Sequence, residues 1–156
     1  MIIAIQSGCG EGSTPKSAFD AALHRAGIED YNLLYLSSVI PAGADVQLGT
    51  FRAREHSIGH RLYVVMAHAE VQTPGTEMWA GLGWVQDRRE GHGVFVEMTA
   101  ESKEVLERSL VSSLEEMTAR RSGAYGPPRC AMERAVCRDR PTAAIVAAVY
   151  GQQEWD

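Results

Sequence analysis

Two adjacent serines, Ser37 and Ser38, close the apolar run Leu33-Leu34-Tyr35-Leu36, and Pro41 follows three residues after Ser38. Hydroxyls among apolar strand residues need partners. A serine held in a bend can also attack the carbonyl before it. The Ser38 Oγ would add to the carbonyl carbon of Ser37. The peptide C–N bond would then break to leave an ester and a free Ser38 amine. β-Elimination from that ester releases the Ser37 carboxylate and leaves dehydroalanine, which hydrolyses with loss of ammonia to a pyruvoyl group. An amide donor near the bend would stabilise the oxyanion. Asn32, six residues before Ser38, has the same strand parity and can face the same cavity. The plainer alternative is that both hydroxyls bond the backbone at a strand end.

Two carboxylates are further candidates. Glu97 sits in the apolar run Val94-Phe95-Val96-Glu97-Met98. Burial there would raise its pKa and keep it protonated as a proton donor. The same alternation also suits an outward-facing strand residue. Asp20 lies off the apolar stripe of its helix, where it is either solvated or free to pair with a planar cation.

Other patterns fail in detail. Gly8-Cys9-Gly10-Glu11-Gly12 lies between a strand and a helix, the context of a dinucleotide-binding turn. That fingerprint needs Gly or Ala at position 13, where Ser13 stands, and Glu11 would repel a pyrophosphate. The remaining reading is a tight turn that needs glycine. His56 and His60 are four apart, but Gly59 between them argues against a metal-binding helix. No G-x-S-x-G elbow occurs. No metal is expected.

These residues must be placed by a small set of elements. Met1 to Gln6 reads as a buried strand. Thr14-Pro15 starts a helix whose stripe is Ala18, Phe19, Ala22, Leu23 and Ala26, with Gly27 as its C-cap. Tyr31 to Val39 reads as one strand. Strands follow at Arg61–His68, Glu77–Gln86 and Gly93–Thr99, then a long helix over Glu101–Arg120 with Leu106, Leu110, Leu114 and Met117 inward. Arg129–Arg138 and Thr142–Tyr150 close the chain. Pro41 to Gly59 is the least regular stretch. Helices are too few for a doubly wound sheet, so the class is α+β, in a single domain over residues 1–156.

Composition narrows the functional classes. The 156 residues are 45% hydrophobic and 22% charged, ordinary globular values that exclude disorder and collagen. Fifteen Lys and Arg against twenty Asp and Glu give a net charge of −5, so nothing draws the surface to nucleic acid or anionic lipid. No apolar run is long enough to span a membrane, and Met1 to Gly10 lacks the basic start of a signal peptide. Cys9, Cys130 and Cys137 show no disulfide or CxxC pattern and read as reduced thiols. The expected location is the cytoplasm.

The segment GCGEGSTPKSAFDAALHRAGIEDYNLLYLSSVIPAG resembles the N-terminal region of the pyruvoyl-dependent arginine decarboxylases. The Gly/Glu turn, the TP helix start, the AFDAAL helix, the Asn and the LSS-x-x-P site occur in order from Gly8 to Pro41 without gaps. GVFVEMTAES resembles the family strand that carries a catalytic Glu, and TAAIVAAVYG its Ala-rich closing strand. The resemblance implies self-cleavage between Ser37 and Ser38 into a β chain 1–37 and an α chain 38–156. It makes Ser38 the source of the pyruvoyl cofactor and Asn32 an aid to processing. Glu97 becomes the proton donor and Asp20 a contact to the substrate guanidinium. It also implies a four-layer α/β/β/α sandwich, a homo-oligomer of trimers or paired trimers with sites between subunits, and decarboxylation of L-arginine to agmatine. One departure is visible: Pro41-Ala42 stands where the family usually has Pro-Pro, which leaves the bend less restricted. The rival readings are a pyruvoyl decarboxylase of another amino acid, an unprocessed binding or assembly subunit, and a nucleotide-binding module.

Overall fold

A computed structural model describes residues 1–156. Two helices and nine strands make an α+β fold with two sheets. The first strand, β1 (Ile2–Glu11), leads into helix α1 (Pro15–Ala26). Thr14 caps α1 in a reciprocal box with Ser17, and Gly27 ends it at φ 72°. Then come β2 (Asn32–Tyr35), β3 (Val39–Ile40), β4 (Asp45–Leu48), β5 (Arg61–Val71), β6 (Glu77–Gln86) and β7 (Gly93–Ala100). Helix α2 (Lys103–Ala119), β8 (Arg129–Val136) and β9 (Thr142–Gln153) complete the chain.

The five-stranded sheet has the order β2-β5-β9-β1-β4 and mixes parallel and antiparallel pairs. The four-stranded sheet, β3-β7-β6-β8, is antiparallel. Alanine-rich β9 is central to the larger sheet, and its alternation splits it cleanly. Ala143, Ile145, Ala147 and Val149 pack with Ala18, Ala22 and Leu23 of α1. Ala144, Val146 and Ala148 pack with Leu82, Trp84 and Phe95 of the other sheet. A third core joins Val94 and Val96 of β7 to Leu106, Leu110 and Leu114 of α2. Small side chains on β9 let it be buried on both faces without overpacking.

The glycines of β1 correct one expectation. Gly8 and Gly10 form no turn; they lie within the strand, paired with Ile145 and Ala143 of β9. A Cβ on Gly10 would stand 2.5 Å from Ala21, and one on Gly8 would run into the Ala22 carbonyl. Their absence of side chain lets α1 lie close on β1, and this packing role leaves no phosphate-binding turn. Gly83 does the same on β6, where a Cβ would stand 2.9 Å from Leu114.

The second correction concerns the serine segment. Tyr31 to Val39 is two strands rather than one. The chain leaves the edge of the larger sheet after Tyr35 and joins the edge of the smaller sheet at Val39. Leu36, Ser37 and Ser38 are the crossing between sheets. Alternation across the whole segment is therefore broken, and the shared parity of Asn32 and Ser38 has no structural meaning. The Pro41–Gly59 stretch holds β4, a parallel edge strand beside β1, and is otherwise irregular. No helix is long and apolar enough to cross a membrane.

Candidate active site

The crossing residue Ser38 has φ 59°, one of two non-glycine residues with positive φ. A side chain in that region costs on the order of 1 kcal/mol, so the surrounding structure must hold it. Three bonds do so. The Leu36 N–H donates to the Val64 carbonyl at 2.9 Å on the larger sheet. The Phe95 N–H donates to the Ser38 carbonyl at 2.8 Å on the smaller sheet. The Tyr150 hydroxyl donates to the Val39 carbonyl at 2.9 Å.

This bend aims the Ser38 hydroxyl at Glu97. Its Oγ lies 2.9 Å from both Glu97 carboxylate oxygens, an arrangement in which one proton is shared between two acceptors. Strand alternation explains how Glu97 comes there. Val94 and Val96 face α2, while Phe95 and Glu97 face the larger sheet. Glu97 therefore shares a face with Phe95 on the side of the larger sheet, although the residue itself is exposed. The deep burial expected for Glu97 is not found: beyond Phe95 the inter-sheet face opens to solvent at Glu97 and Thr99.

Tyr150 was not legible as a site residue. It continues the inner face of β9 after Ala144, Val146 and Ala148, and its ring meets Phe95 edge-on at 6.2 Å. Burial first, and then the Glu97 charge, push its phenol well above the ordinary tyrosine range. It therefore remains a donor at every working pH. The only sequence signal was an aromatic residue ending an alanine-rich strand.

Asn32 and Asp20 do not join this corner within the chain. The Asn32 amide donates to the Gly59 carbonyl at 2.6 Å, an acceptor that it shares with the Trp155 indole at 2.8 Å. Both Asn32 and Asp20 are exposed, and α1, which carries Asp20, packs on β1, β9 and β5 rather than on β3 or β7. Ser37 is exposed beside Ser38. His56 and His60 lie in the irregular loop before β5, outside any helix.

The serine on this sheet-to-sheet crossing, with a carboxylate on its hydroxyl, lies within the stretch matched by the model of one family. That family is described as Pyruvoyl-dependent arginine decarboxylase (PvlArgDC), and it matches residues 2–155. The chain belongs to this family. It is 34% identical over 140 residues to the pyruvoyl-dependent arginine decarboxylase of Thermococcus sibiricus, covering 89% of this chain and 87% of that protein. The enzyme of the same name from Thermococcus kodakarensis gives the same identity and coverage. That of Halobacterium salinarum is 32% identical over 154 residues, covering 97% of this chain and 95% of its own length. Within this family match, Ser38 and Glu97 are the serine and carboxylate that the fold brings into direct contact.

Proposed function

We propose that this chain cuts itself between Ser37 and Ser38 and uses the pyruvoyl group so formed to decarboxylate L-arginine to agmatine and CO₂. The observation that carries this reading is the Ser38 hydroxyl held on both Glu97 oxygens within a positive-φ bend. The residues present fit such a group. Ser38 is half-buried, its carbonyl is fixed by the Phe95 N–H, and its side chain already faces Glu97.

Glu97 acts first as a base. It takes the Oγ proton as Ser38 attacks the Ser37 carbonyl carbon. The strain at Ser38 favours the cut, because φ there is rotation about a bond whose far substituent leaves with Ser37. A pyruvoyl ketone supplies an electron sink for decarboxylation, the role that pyridoxal phosphate fills in other enzymes. Glu97, left beside the new chain end, then delivers a proton to the substrate Cα from which CO₂ has departed.

Asp20 pairs with the substrate guanidinium, where a carboxylate gives the best planar match, and Asn32 assists the processing step. Both come to Ser38 from a neighbouring copy in a homo-oligomer built of trimers. Support for this comes from the exposure of both residues and from the apolar side chains left uncovered around the crossing, Tyr35 and Val39, at 62% and 59% exposed. The fold is a single-domain α/β/β/α sandwich of four layers, a reading supported by the order of the three cores. The protein works in the cytoplasm on a small amino-acid substrate.

Denaturing intact mass tests the reading. Of the 17.0 kDa total, scaling by chain length gives fragments of about 4 and about 13 kDa. When borohydride is added with arginine, the larger is expected to gain the mass of agmatine less one oxygen, because imine formation expels water and reduction adds two hydrogens. A single uncut chain would overturn the decarboxylase reading in favour of a binding subunit.

A further inference from the structure

Tyr150 occupies an irregular place in its strand. Along β5 and β9 the register pairs Tyr63 with Gly151 but Val64 with Val149, so Tyr150 is the extra residue of a β-bulge. Bulges leave one residue unpaired, bend the strand and recur beside active sites. Here the bulged residue sends its ring across the inter-sheet gap onto Phe95 and its hydroxyl to the Val39 carbonyl at 2.9 Å.

Val39 is the residue directly after Ser38, on a strand of two residues that pairs only with β7. Before cleavage, the covalent chain through Leu36 and Ser37 ties this strand to the larger sheet. Once the Ser37–Ser38 bond breaks, that tie is gone. The Tyr150 hydroxyl then remains as a polar tie from the larger sheet to the new chain end, while the Phe95 N–H holds it from the smaller one.

Resting on the self-cleavage reading, we propose that the Tyr150 hydroxyl is a positioning group for that step: by anchoring the Val39 carbonyl from the opposite sheet it keeps the Ser38 bend closed onto Glu97. Tyr150 touches neither the scissile bond nor the Ser38 hydroxyl. It acts through the Val39–Ile40 peptide group, one residue beyond Ser38.

Tyr150→Phe removes the hydroxyl and keeps the ring. A time course of intact mass on freshly synthesised protein is expected to show self-cleavage slowed about tenfold, the rate equivalent of one well-placed hydrogen bond. The melting midpoint should fall by no more than a few degrees. Hydroxylamine, which splits the ester intermediate, should release less fragment from Y150F than from the unaltered chain, because the acyl shift itself is impaired. Val146→Ala, on the same face of β9, controls for packing and should cleave faster than Y150F. Cleavage of Y150F at the unaltered rate, build-up of ester in Y150F, or equal slowing in V146A would each overturn the proposal. An unaltered chain that never cleaves would overturn the self-cleavage reading as well, so the two failures are distinguishable.

Discussion

Asp87 and Glu97 are carboxylates on the same sheet, one just past the end of β6 and the other within β7, and they are used in opposite ways. Asp87 is buried at 6% exposure and is filled with backbone donors. Its Oδ1 accepts from the N–H groups of Arg89 and Glu90 at 2.8 Å each, and its Oδ2 from Ala124 at 2.6 Å. It staples the turn after β6 to the chain after α2. Glu97 is exposed and receives a single hydroxyl, that of Ser38. Three fixed donors make a carboxylate an anchor whose charge is spoken for. One mobile proton suits it to the base role proposed above. The difference lies in which partners the topology delivers, and neither carboxylate declares it by type.

Removing the proton donor breaks the comparison most completely. Ser38→Ala leaves Glu97 with nothing to deprotonate, and the chain should persist at 17.0 kDa indefinitely by denaturing mass. Glu97→Gln comes next. The amide can still bond the hydroxyl but cannot take its proton, so self-cleavage should slow by about a hundredfold or more. Because position 97 is exposed, the melting midpoint of E97Q should stay within about a degree of the unaltered chain. A variant that cuts normally would remove Glu97 from the processing step.

Asp87→Ala should give the reverse signature. Three backbone donors lose their acceptor, so the melting midpoint should drop by several degrees. At 25 °C the folded fraction should still cut itself at an unaltered rate. Loss of cleavage without loss of stability would place Asp87 in the chemistry and erase the contrast.

How much of this was readable from the residues follows the same division between local and long-range causes. Local chemistry was legible: the Thr14 cap and Gly27 end of α1, the leucine stripe of α2, and the class α+β. The Ser37–Ser38 pair stood out as unusual at the end of an apolar run, but only the resemblance to a known family raised it above a plain strand end. What depends on distant pairing was hidden. Gly8 and Gly10 signal a turn by type, yet their reason is the proximity of Ala21 and Ala22 across the strand–helix contact. Tyr31 to Val39 looks continuous, and only the existence of a second sheet edge at β7 divides it. The bulge at Tyr150 is a mismatch between β5 and β9, which neither strand shows alone. Asn32 was matched to Ser38 by counting along a strand that does not exist as one piece.

The smallest effect sharpens the comparison through pH. The three backbone N–H groups hold the Asp87 carboxyl below the ordinary aspartate range. A carboxylate whose folded pKa is depressed contributes stability that is fully present above the unfolded value of about 3.9. That contribution fades as pH falls from there through the folded value. Asp87→Asn removes the titration while keeping one oxygen for Arg89 and Glu90, and it turns an amide N–H toward the Ala124 N–H. The melting midpoints of the two proteins should therefore differ by a constant amount from pH 7 to about pH 5 and converge as pH falls below about 4. Glu77, held low chiefly by its hydrogen bond from Arg134, titrates in the same acid region, but it is present in both proteins and cancels in the difference. Curves that stay parallel down to pH 3 would mean that Asp87 carries no special charge preference. The anchor would then rest on geometry alone, and the contrast with Glu97 would be one of position rather than of protonation.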